Sequence, residues 1–516
     1  MAKFTVSNFA RAHQFWGDLP EPGDPALITV RTATTFSFGV DPGGAYAGWT
    51  FTVKGAGFKY LANSSGVLEA TDGAITSITI RDAANHVVLT IDTFPLGERP
   101  QLADLYAQLF NTGSQVSPDM FDFFTSLQNF GDTIIGSDNN DDLFTGYNLG
   151  NDNIDGRGGD DFIRGSAGND VINGGLDFDT LSFFESFYDK TAFKGVTANL
   201  ATGTVADCWG GSDTISGFEE LDGSRFKDTL IGSDADNEWF SGLRGADTID
   251  GGGGLRDWVY YGDDARYGGT RGIIANLAAG TIRDGFGNID TVSNIERVQG
   301  TNANDIFIGS DVNNTFRGHG GKDSYDGGLG NDRVNFYYNT GWGATAGVNV
   351  DLTRATNQIR NDGFGNVENA ISIENISGSS LNDTIKGSNA VYNFLEGDGG
   401  ADTLTGGTGA DGFGYYAIGD FGDTIRDFVS GTDELWFGPG DLAGLGTTPI
   451  SFRVGTSVAS AAGTSGAFYF NAANHTLFYD QDGTGSAFLG VAVLTIQAGG
   501  TIAAGDLFLD IRRFPC

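Results

Sequence analysis

The stretch GRGGDDFIRGSAGNDVINGGLDFDTLSF, from Gly156 to Phe183, repeats one arrangement of residues every nine positions. Acidic residues keep this period, and so do large apolar residues two positions later: Asp161, Asp170 and Asp179, followed by Ile163, Ile172 and Leu181. Because two unrelated chemistries share one phase, the period indicates a repeated structural unit.

Counted from its first glycine, the unit is G1-x2-x3-G4-x5-D6-x7-U8-x9, in which U is a large apolar residue. Matching nonapeptides begin at Gly156, Gly165, Gly242, Gly318, Gly327, Gly397 and Gly406. Gly174–Ser182 differs only in having Asp177 at position 4. Degenerate turns begin at Gly136, Gly232, Gly300, Gly309, Gly378 and Gly387.

This pattern predicts an all-β fold, a parallel β-roll or β-solenoid. Positions 7 to 9 would form a short strand whose middle side chain points inward, and the six preceding residues would form a tight turn. Glycine allows the left-handed backbone that such turns need. Two nonapeptides would complete one coil, so that turns eighteen residues apart in sequence stack on one another.

Stacked turns would place the Asp of one coil over the Asp of the next. Carboxylate and carbonyl oxygens in a flexible cage suit Ca²⁺, whereas Mg²⁺ demands tighter octahedral geometry. Transition metals prefer imidazole or thiolate, and the four histidines are scattered: His13, His86, His319 and His475. The alternative is a glycine-rich solenoid whose Asp residues only form Asx turns, which does not explain the shared phase.

Composition agrees with a cation-binding protein. The 516 residues include 82 glycines, and 66 acidic residues against 29 basic ones give a net charge of −37. Nucleic acid and anionic membranes are therefore poor partners. Cys208 and Cys516 are the two cysteines, too few for a disulfide scaffold. The first residues lack the apolar run of a signal peptide, and we expect no transmembrane segment because no run of about 18 apolar residues occurs.

The nonapeptides resemble the GGxGxDxUx repeats of the RTX (repeats-in-toxin, haemolysin-type) calcium-binding proteins, over roughly residues 128–440. The resemblance implies several bound Ca²⁺ ions, held by position-6 carboxylates and turn carbonyls. The acidic residues it implies are Asp141, Asp152, Asp160, Asp161, Asp170, Asp179, Asp228, Asp247, Asp257, Asp305, Asp323, Asp332, Asp383, Asp402 and Asp411. The turn glycines are Gly156, Gly158, Gly165, Gly242, Gly318, Gly327, Gly397 and Gly406. Asn237, Asn314 and Asn393 stand at position 6 of further turns, where the charge is missing.

A longer period of about 77 residues overlies the nonapeptides, and each copy adds two predicted strands between clusters of turns. We expect a first RTX cluster at 128–183 and further units at 184–260, 261–336 and 337–415. One continuous solenoid is favoured over separate beads, because no Pro-rich or Ser-rich linker separates the units.

Both ends lack the nonapeptide pattern. Residues 1–127 are expected to form a small β-rich domain with strands at Gly48–Gly55, Phe58–Leu61, Ile75–Asp82 and His86–Phe94. Short helices are expected at Gln101–Phe110, from its apolar spacing, and from Ser117-Pro118-Asp119. Residues 416–516 would form a β-rich cap and secretion region. Within it, Gly419–Phe437, Phe468–Ala487 and the tail AGDLFLDIRRF resemble the end of serralysin-type proteins.

That second resemblance implies type I secretion, with export machinery as a partner and a location outside the cell or at its surface. Three classes of function remain open: a structural or adhesive protein, an enzyme with an unrecognised N-terminal catalytic domain, and a carbohydrate-binding protein. No HExxH, GxSxG or Cys–His pattern supports an enzyme, so no catalytic residue is assigned. Surface polysaccharide and self-association are the further partners considered. Trp258, at position 7 of its turn, is expected to point outward and, if exposed with Trp209 and Trp342, would favour carbohydrate binding. Tryptophans that are buried or packed against a hairpin are the commoner alternative.

Overall fold

The computed structural model describes residues 133–136, 138–144, 150–389, 392–438, 451–455, 466–480 and 490–509, together with the backbone of five N-terminal strands. The chain forms two compact units, Met1–Gly254 and Leu255–Cys516. The helices predicted at Gln101–Phe110 and after Ser117 lie outside the described residues. The finer division into six segments stays a prediction.

Among the residues that the structure describes, the first unit contains five N-terminal strands and thirteen strands of the roll. The N-terminal strands are β1 (Ile28–Thr29), β2 (Thr35–Gly39), β3 (Thr50–Ala62), β4 (Leu68–Arg81) and β5 (Val87–Asp92). The others are β6 (Thr133–Ile135), β7 (Asp142–Phe144), β8 (Asn153–Gly158), β9 (Phe162–Arg164), β10 (Val171–Leu176), β11 (Thr180–Ser182), β12 (Thr197–Asn199), β13 (Thr204–Ala206), β14 (Ser212–Ser216), β15 (Glu220–Asp222), β16 (Thr229–Ile231), β17 (Trp239–Ser241) and β18 (Thr248–Asp250). A 3₁₀ helix spans Phe184–Phe187.

The five N-terminal strands form one antiparallel sheet in the order β1-β3-β4-β5, with β2 also paired to β3. Two of the predicted strands, Gly48–Gly55 and Phe58–Leu61, are merged in β3, whose pairing with β4 shifts register between Lys54 and Gly55 and again after Ala56. A β-bulge absorbs an extra residue without ending a strand. The glycine-rich sequence between the two predictions therefore bends one strand instead of separating two.

The roll itself is built as the nonapeptide pattern predicts. β9 and β11 are three-residue strands at positions 7 to 9, and they pair in parallel so that Ile163 lies beside Leu181. On the other sheet, β8 pairs in parallel with β10 and places Ile154 beside Ile172. All four side chains are buried. The predicted stacking of turns eighteen residues apart is confirmed, and the apolar position 8 forms the core.

The inserted hairpins are part of the sheet. β10 pairs in parallel with β14, β14 pairs antiparallel with β13, β13 pairs antiparallel with β12, and β12 pairs in parallel with β16. The insertion thus places antiparallel strands between coils. The middle residue of each inserted strand is buried in the core, Ala198 in β12 and Val205 in β13. The opposite sheet has no such interruption there, since β11 pairs directly with β15 and β15 with β17.

The second unit repeats this arrangement. Its strands are β19 (Trp258–Tyr260), β20 (Ile274–Asn276), β21 (Thr281–Arg283), β22 (Ile289–Ser293), β23 (Arg297–Gln299), β24 (Ile306–Ile308), β25 (Thr315–Arg317), β26 (Ser324–Asp326), β27 (Arg333–Asn335), β28 (Asn349–Asp351), β29 (Ile359–Asn361), β30 (Asn369–Ile371), β31 (Asn375–Ser377), β32 (Thr384–Lys386), β33 (Phe394–Glu396), β34 (Thr403–Thr405), β35 (Gly412–Tyr415), β36 (Asp423–Ile425), β37 (Glu434–Phe437), β38 (Ser451–Gly455), β39 (Ala467–Asn471), β40 (Thr476–Asp480), β41 (Val491–Ile496) and β42 (Leu507–Leu509). Its 3₁₀ helices span Gly262–Tyr267, Ile418–Asp420 and Ala504–Asp506.

The C-terminal strands extend the second unit without further nonapeptides. β41 pairs in parallel with β36, and β40 and β39 continue that sheet antiparallel. On the other side β42 pairs in parallel with β37. Across the part of the chain that is described, no helix has both the length and the apolarity needed to cross a membrane.

The expectation that Trp258 points outward is wrong. Its side chain is fully buried, and the guanidinium carbon of Arg317 lies 4.0 Å from the centroid of its ring. Arg317 also contacts the ring of Tyr338, at 4.7 Å. Stacking of a guanidinium on an aromatic face is favourable, so this position-7 residue is covered by packing that a strand's simple alternation does not predict.

Candidate metal centre

Successive coils are joined by their position-6 carboxylates. The backbone N–H of Asp152 donates to Oδ1 of Asp170, eighteen residues later, at 2.8 Å. Both side chains are buried. Because the donor and the acceptor hold the same position in consecutive coils, the bond repeats along the roll and fixes one carboxylate oxygen of each Asp.

The same bonds run along the other side of the first unit. Asp141 donates its N–H to Oδ1 of Asp161, and Asp161 donates to Oδ1 of Asp179, each at 2.8 Å. At the next coil, Oε2 of Glu219 accepts from Asp179 at 2.9 Å. We call these chains of acids the acid ladders.

The second unit has equivalent acid ladders. Their members donate from backbone N–H to the next acid at 2.7 to 3.1 Å: Asp257 to Glu296, Asp305 to Asp323, Asp323 to Glu368, Asn314 to Asp332, Asp332 to Glu374, Asp383 to Asp402, Asp402 to Asp423, Asn393 to Asp411 and Asp411 to Asp433. In the first unit Asp228 donates to Asp247, and Asp170 to Asp213, in the same way.

The second oxygen of several ladder acids is buried and accepts no hydrogen bond: Asp161 Oδ2, Asp179 Oδ2, Asp213 Oδ2 and Asp332 Oδ2. An unpaired carboxylate oxygen away from water is costly unless a cation or a donor compensates it. Oxygen-only donors of this kind fit Ca²⁺. The residues present therefore fit the ion that their pattern implies.

The turn glycines bring further oxygens to the same place. A Cβ on Gly156 would overlap both Oδ2 of Asp161 and the carbonyl oxygen of Gly174. Gly378 is placed in the same way between Oδ2 of Asp383 and the carbonyl oxygen of Gly397. A carboxylate of one coil and a carbonyl of the next thus converge at each turn, and a side chain at position 1 would obstruct both.

The predicted turn glycines lie beside the acids of their own turns. A Cβ on six of the eight would come within 2.5 Å of an Oδ2 atom: Gly156 with Asp161, Gly242 with Asp247, Gly318 with Asp323, Gly327 with Asp332, Gly397 with Asp402 and Gly406 with Asp411. Gly165 differs, because its nearest neighbour is the ring of Phe183. Gly158 is open, with Leu176 as its nearest contact at 3.9 Å.

Asp160 lies outside the acid ladders. It is exposed, and its Oδ1 accepts the N–H of Phe178 at 3.1 Å. Asn237 also lies outside them, because Glu238 takes the acidic place in its turn and accepts the N–H of Ser233 at 2.7 Å. The turn that begins at Gly232 has one residue more than the pattern assumes. Asn314 and Asn393 do occupy ladder positions, as predicted.

Sequence reasoning missed the ladder acids that follow insertions: Asp213, Glu219, Glu296, Glu368, Glu374, Asp423 and Asp433. A nonapeptide search passes over them because more than eighteen positions separate each from the preceding acid, and some are Glu. The separation is 39 to 45 positions for the first five, and 21 and 22 positions for Asp423 and Asp433. A local sequence pattern could have identified these acids. Each stands two residues before the apolar or alanine residue of the next strand, as in Asp213-Thr214-Ile215 and Glu374-Asn375-Ile376.

Burial raises the pKa of these carboxyl groups. For Asp161 it raises the pKa to about 7, opposed by the hydrogen bond from Asp141 and increased by the charges of neighbouring acids. The pKa of Asp170 is likewise about 7 and that of Asp179 about 6, again mainly through burial. Without a cation, the stacked carboxylates therefore hold protons close to neutral pH.

We predict that Ca²⁺ binding releases protons at pH 7 and weakens as pH falls from 8 to 5.5. The folded-state pKa values lie above those of an unfolded chain, so the ion-free roll is favoured at low pH and loses stability as pH rises towards 7. Ca²⁺ needs the deprotonated carboxylates. Each coupled proton should change apparent affinity about tenfold per pH unit. Proton uptake or no change in a weakly buffered titration with CaCl₂ would contradict this.

The described residues contain no group of three or more His, Cys, Asp or Glu side chains gathered around one point suited to a metal. The oxygens at a turn instead combine carboxylates with backbone carbonyls, as at Gly156. Cys208 is buried and unpaired within the described chain, and His319 is buried against the ring of Trp342, at 4.1 Å between centroids. Neither belongs to an acid ladder.

Comparison with known proteins agrees with this geometry. No curated protein matches the chain. A family model for the RTX calcium-binding nonapeptide repeat matches in four copies, at residues 148–181, 233–265, 299–334 and 377–413. These ranges contain most members of the acid ladders. The chain therefore carries four RTX calcium-binding nonapeptide repeats, and its cofactor is Ca²⁺, bound as multiple ions across them.

Proposed function

We propose that the protein is secreted, folds on Ca²⁺ outside the cell, and has a structural or adhesive role at the cell surface or in the matrix. The observation that carries this is the extent of the repeats. Parallel coils with buried acid ladders occupy most of residues 133–438.

The ions are held, in this proposal, by the position-6 acids together with turn carbonyls. The geometry favours acids with a buried oxygen near a turn glycine, such as Asp161 at Gly156 and Asp332 at Gly327. The ladder acids Asp213, Glu219, Glu368, Glu374, Asp423 and Asp433 extend this set. Asp160, which is exposed, has no such support.

Secretion rests on the RTX repeats, which are typical of exported proteins, and on the resemblance of residues 416–516 to serralysin-type C-termini. Export through a type I channel needs an unfolded chain. An acid ladder without Ca²⁺ would oppose folding by repulsion between buried carboxylates. Inside a cell, where free Ca²⁺ is low, the chain would therefore remain ready for export.

A carbohydrate-binding role has less support than the sequence indicated. Trp258 is buried, and Trp209 is half-buried with its indole N–H donating to Asp189 at 2.6 Å. Trp342 is half-buried and stacked on His319. The three tryptophans thus pack within the protein. An extracellular enzyme would need a catalytic centre in residues 1–127, for which no motif argues.

A surface-retention experiment tests the proposal. In the source organism, the full chain carrying an N-terminal tag should be found outside the cells, attached to them in about 1 mM Ca²⁺ and released by EGTA. A deletion strain should lose attachment or aggregation, and purified protein should restore it only with Ca²⁺. Retention of the chain inside the cells would contradict secretion, and unchanged attachment of the deletion strain would contradict the structural role.

A further inference from the structure

The turn between β13 and β14 carries two buried acids that do not belong to any matched repeat. Asp207 follows β13 directly and Asp213 lies within β14. The turn falls between the matched ranges 148–181 and 233–265. Both carboxylates have almost no exposed surface, 0 % and 2 %.

Asp207 is held firmly by one oxygen. Its Oδ1 accepts three backbone N–H groups, from Trp209 at 2.9 Å, Gly210 at 2.6 Å and Gly211 at 2.7 Å. Its Oδ2 is buried and accepts no hydrogen bond. Burial raises the pKa of Asp207, and the charge of Lys194 partly offsets this effect. The carboxylate is therefore oriented, with one oxygen that has no donor of its own.

The carbonyl oxygen of Gly168 converges with this oxygen at Gly211, and the charge of Asp207 acts on a second buried carboxylate, that of Asp213. A Cβ on Gly211 would be 2.5 Å from Oδ2 of Asp207 and would overlap the carbonyl oxygen of Gly168, in the preceding coil. Asp213 accepts the N–H of Asp170 through Oδ1 at 2.9 Å, and its buried Oδ2 also accepts no hydrogen bond. The negative charge of Asp207 acts on both Asp170 and Asp213.

The later insertions have the same turn but compensate the acid differently. The three sequences are DCWGGSD at 207–213, DGFGNID at 284–290 and DGFGNVE at 362–368. In the second and third, an asparagine amide donates to the free carboxylate oxygen at 2.8 Å: Asn288 to Asp284 and Asn366 to Asp362. Gly211 stands at that position in the first turn and has no amide to donate. In the second and third turns an asparagine amide therefore satisfies the second carboxylate oxygen. In the first turn the corresponding oxygen, Oδ2 of Asp207, accepts no hydrogen bond.

We infer that Oδ2 of Asp207, Oδ2 of Asp213 and the carbonyl oxygen of Gly168 form an additional site for a hard divalent cation, of which Ca²⁺ is the expected one. The donors are all oxygens, two of them anionic, which is the set that Ca²⁺ prefers. The site differs from a nonapeptide site because one ligand comes from the residue before the turn. The turns at 284–290 and 362–368 provide no such ligand, since their asparagines already occupy that oxygen.

Terbium luminescence tests the site in the full-length protein. Tb³⁺ replaces Ca²⁺ and emits when a nearby indole is excited, and Trp209 is close to the site because its backbone N–H donates to Asp207. The probe is Tb³⁺ alone, and the signal of interest is the emission that Trp209→Phe removes. Calcium should displace it. If wild-type protein and Trp209→Phe emit equally, with circular dichroism showing both folded, no ion binds at this turn.

Asp207→Asn should lower the Tb³⁺ affinity of the Trp209-dependent signal by about tenfold or more, because an anionic ligand is lost. Asp362→Asn is the matched control and should leave that signal unchanged. If Asp207→Asn does not fold in Ca²⁺, Asp207→Glu, which keeps the charge but moves the oxygen, should show the same loss. Unchanged affinity in a folded Asp207 variant would overturn the site. The result does not depend on where the protein is located.

Discussion

Removal of Ca²⁺ with EGTA is expected to unfold the coils of residues 133–438. At ~1 mM Ca²⁺ a site with Kd near ~0.1 mM adds about 1.4 kcal/mol to the folded state, and ten comparable sites would add on the order of 14 kcal/mol. This equals the stability of an entire domain. Below ~1 μM free Ca²⁺ the same sites contribute almost nothing.

The ion-free state also carries a penalty. Asp161 is flanked by Asp141 and Asp179, and the charges of both raise its pKa. Similar repulsion acts between Asp402 and Asp423, where burial and the neighbouring charge raise the pKa of Asp402 to about 9. Removing Ca²⁺ therefore takes away a stabilising term and leaves buried acids that must either bind protons or repel one another, in a protein whose net charge is −37.

Far-UV circular dichroism checks this result. The β-sheet signal should be lost in EGTA and restored by Ca²⁺, with a cooperative transition. Mg²⁺ at the same concentration is the control and should restore less, because it demands octahedral geometry and keeps its waters. A β-sheet signal of full amplitude in EGTA at pH 7.5 would show that the coils fold on their apolar core alone.

The repeats could be predicted because the pattern within each nonapeptide is enough to locate its turn and its strand. Ile163 and Leu181 keep the apolar phase of a three-residue strand, and Asp161 keeps its place before it, so periodicity alone places them. The merging of strands in β3 and the position of β12 and β13 inside the sheet could not be predicted. Each of these features depends on which strands pair. Pairing between residues that are far apart in sequence cannot be read from a local sequence pattern.

The site was predictable to the same extent. The period predicts Asp152, Asp170 and their equivalents. It does not predict Asp213 and Glu374, because inserted residues separate each of them from the preceding acid of the ladder. Trp258 is covered by Arg317, which lies 59 residues later in the sequence, so its burial could not be predicted from its own turn. Asp207 was missed because its importance comes from what it lacks, an amide partner that Asp284 and Asp362 possess.

Asp161→Asn is expected to weaken Ca²⁺-dependent folding strongly, whereas Asp160→Asn is not. The two residues are adjacent and the substitutions change the net charge equally. Asp161 is buried, accepts the N–H of Asp141, and keeps its second oxygen at the turn of Gly156. Asp160 is exposed and accepts one N–H at 3.1 Å. Any difference between the variants therefore reports the buried position and not the charge.

Asn at position 161 can still accept the N–H of Asp141 but offers a neutral oxygen to a cation. The loss of one ion should cost about 1.4 kcal/mol at ~1 mM Ca²⁺, and twice that if ions on both sides are affected. The Ca²⁺ midpoint of folding, followed by circular dichroism, should rise for Asp161→Asn, and calorimetry should count fewer bound ions. Asp160→Asn should stay within about 0.5 kcal/mol of the unsubstituted protein. Equal midpoints for the two variants would mean that the Asp161 side chain acts through the hydrogen bond from Asp141 and not by holding an ion, because Asp161→Asn keeps an oxygen to accept that bond but removes the charge.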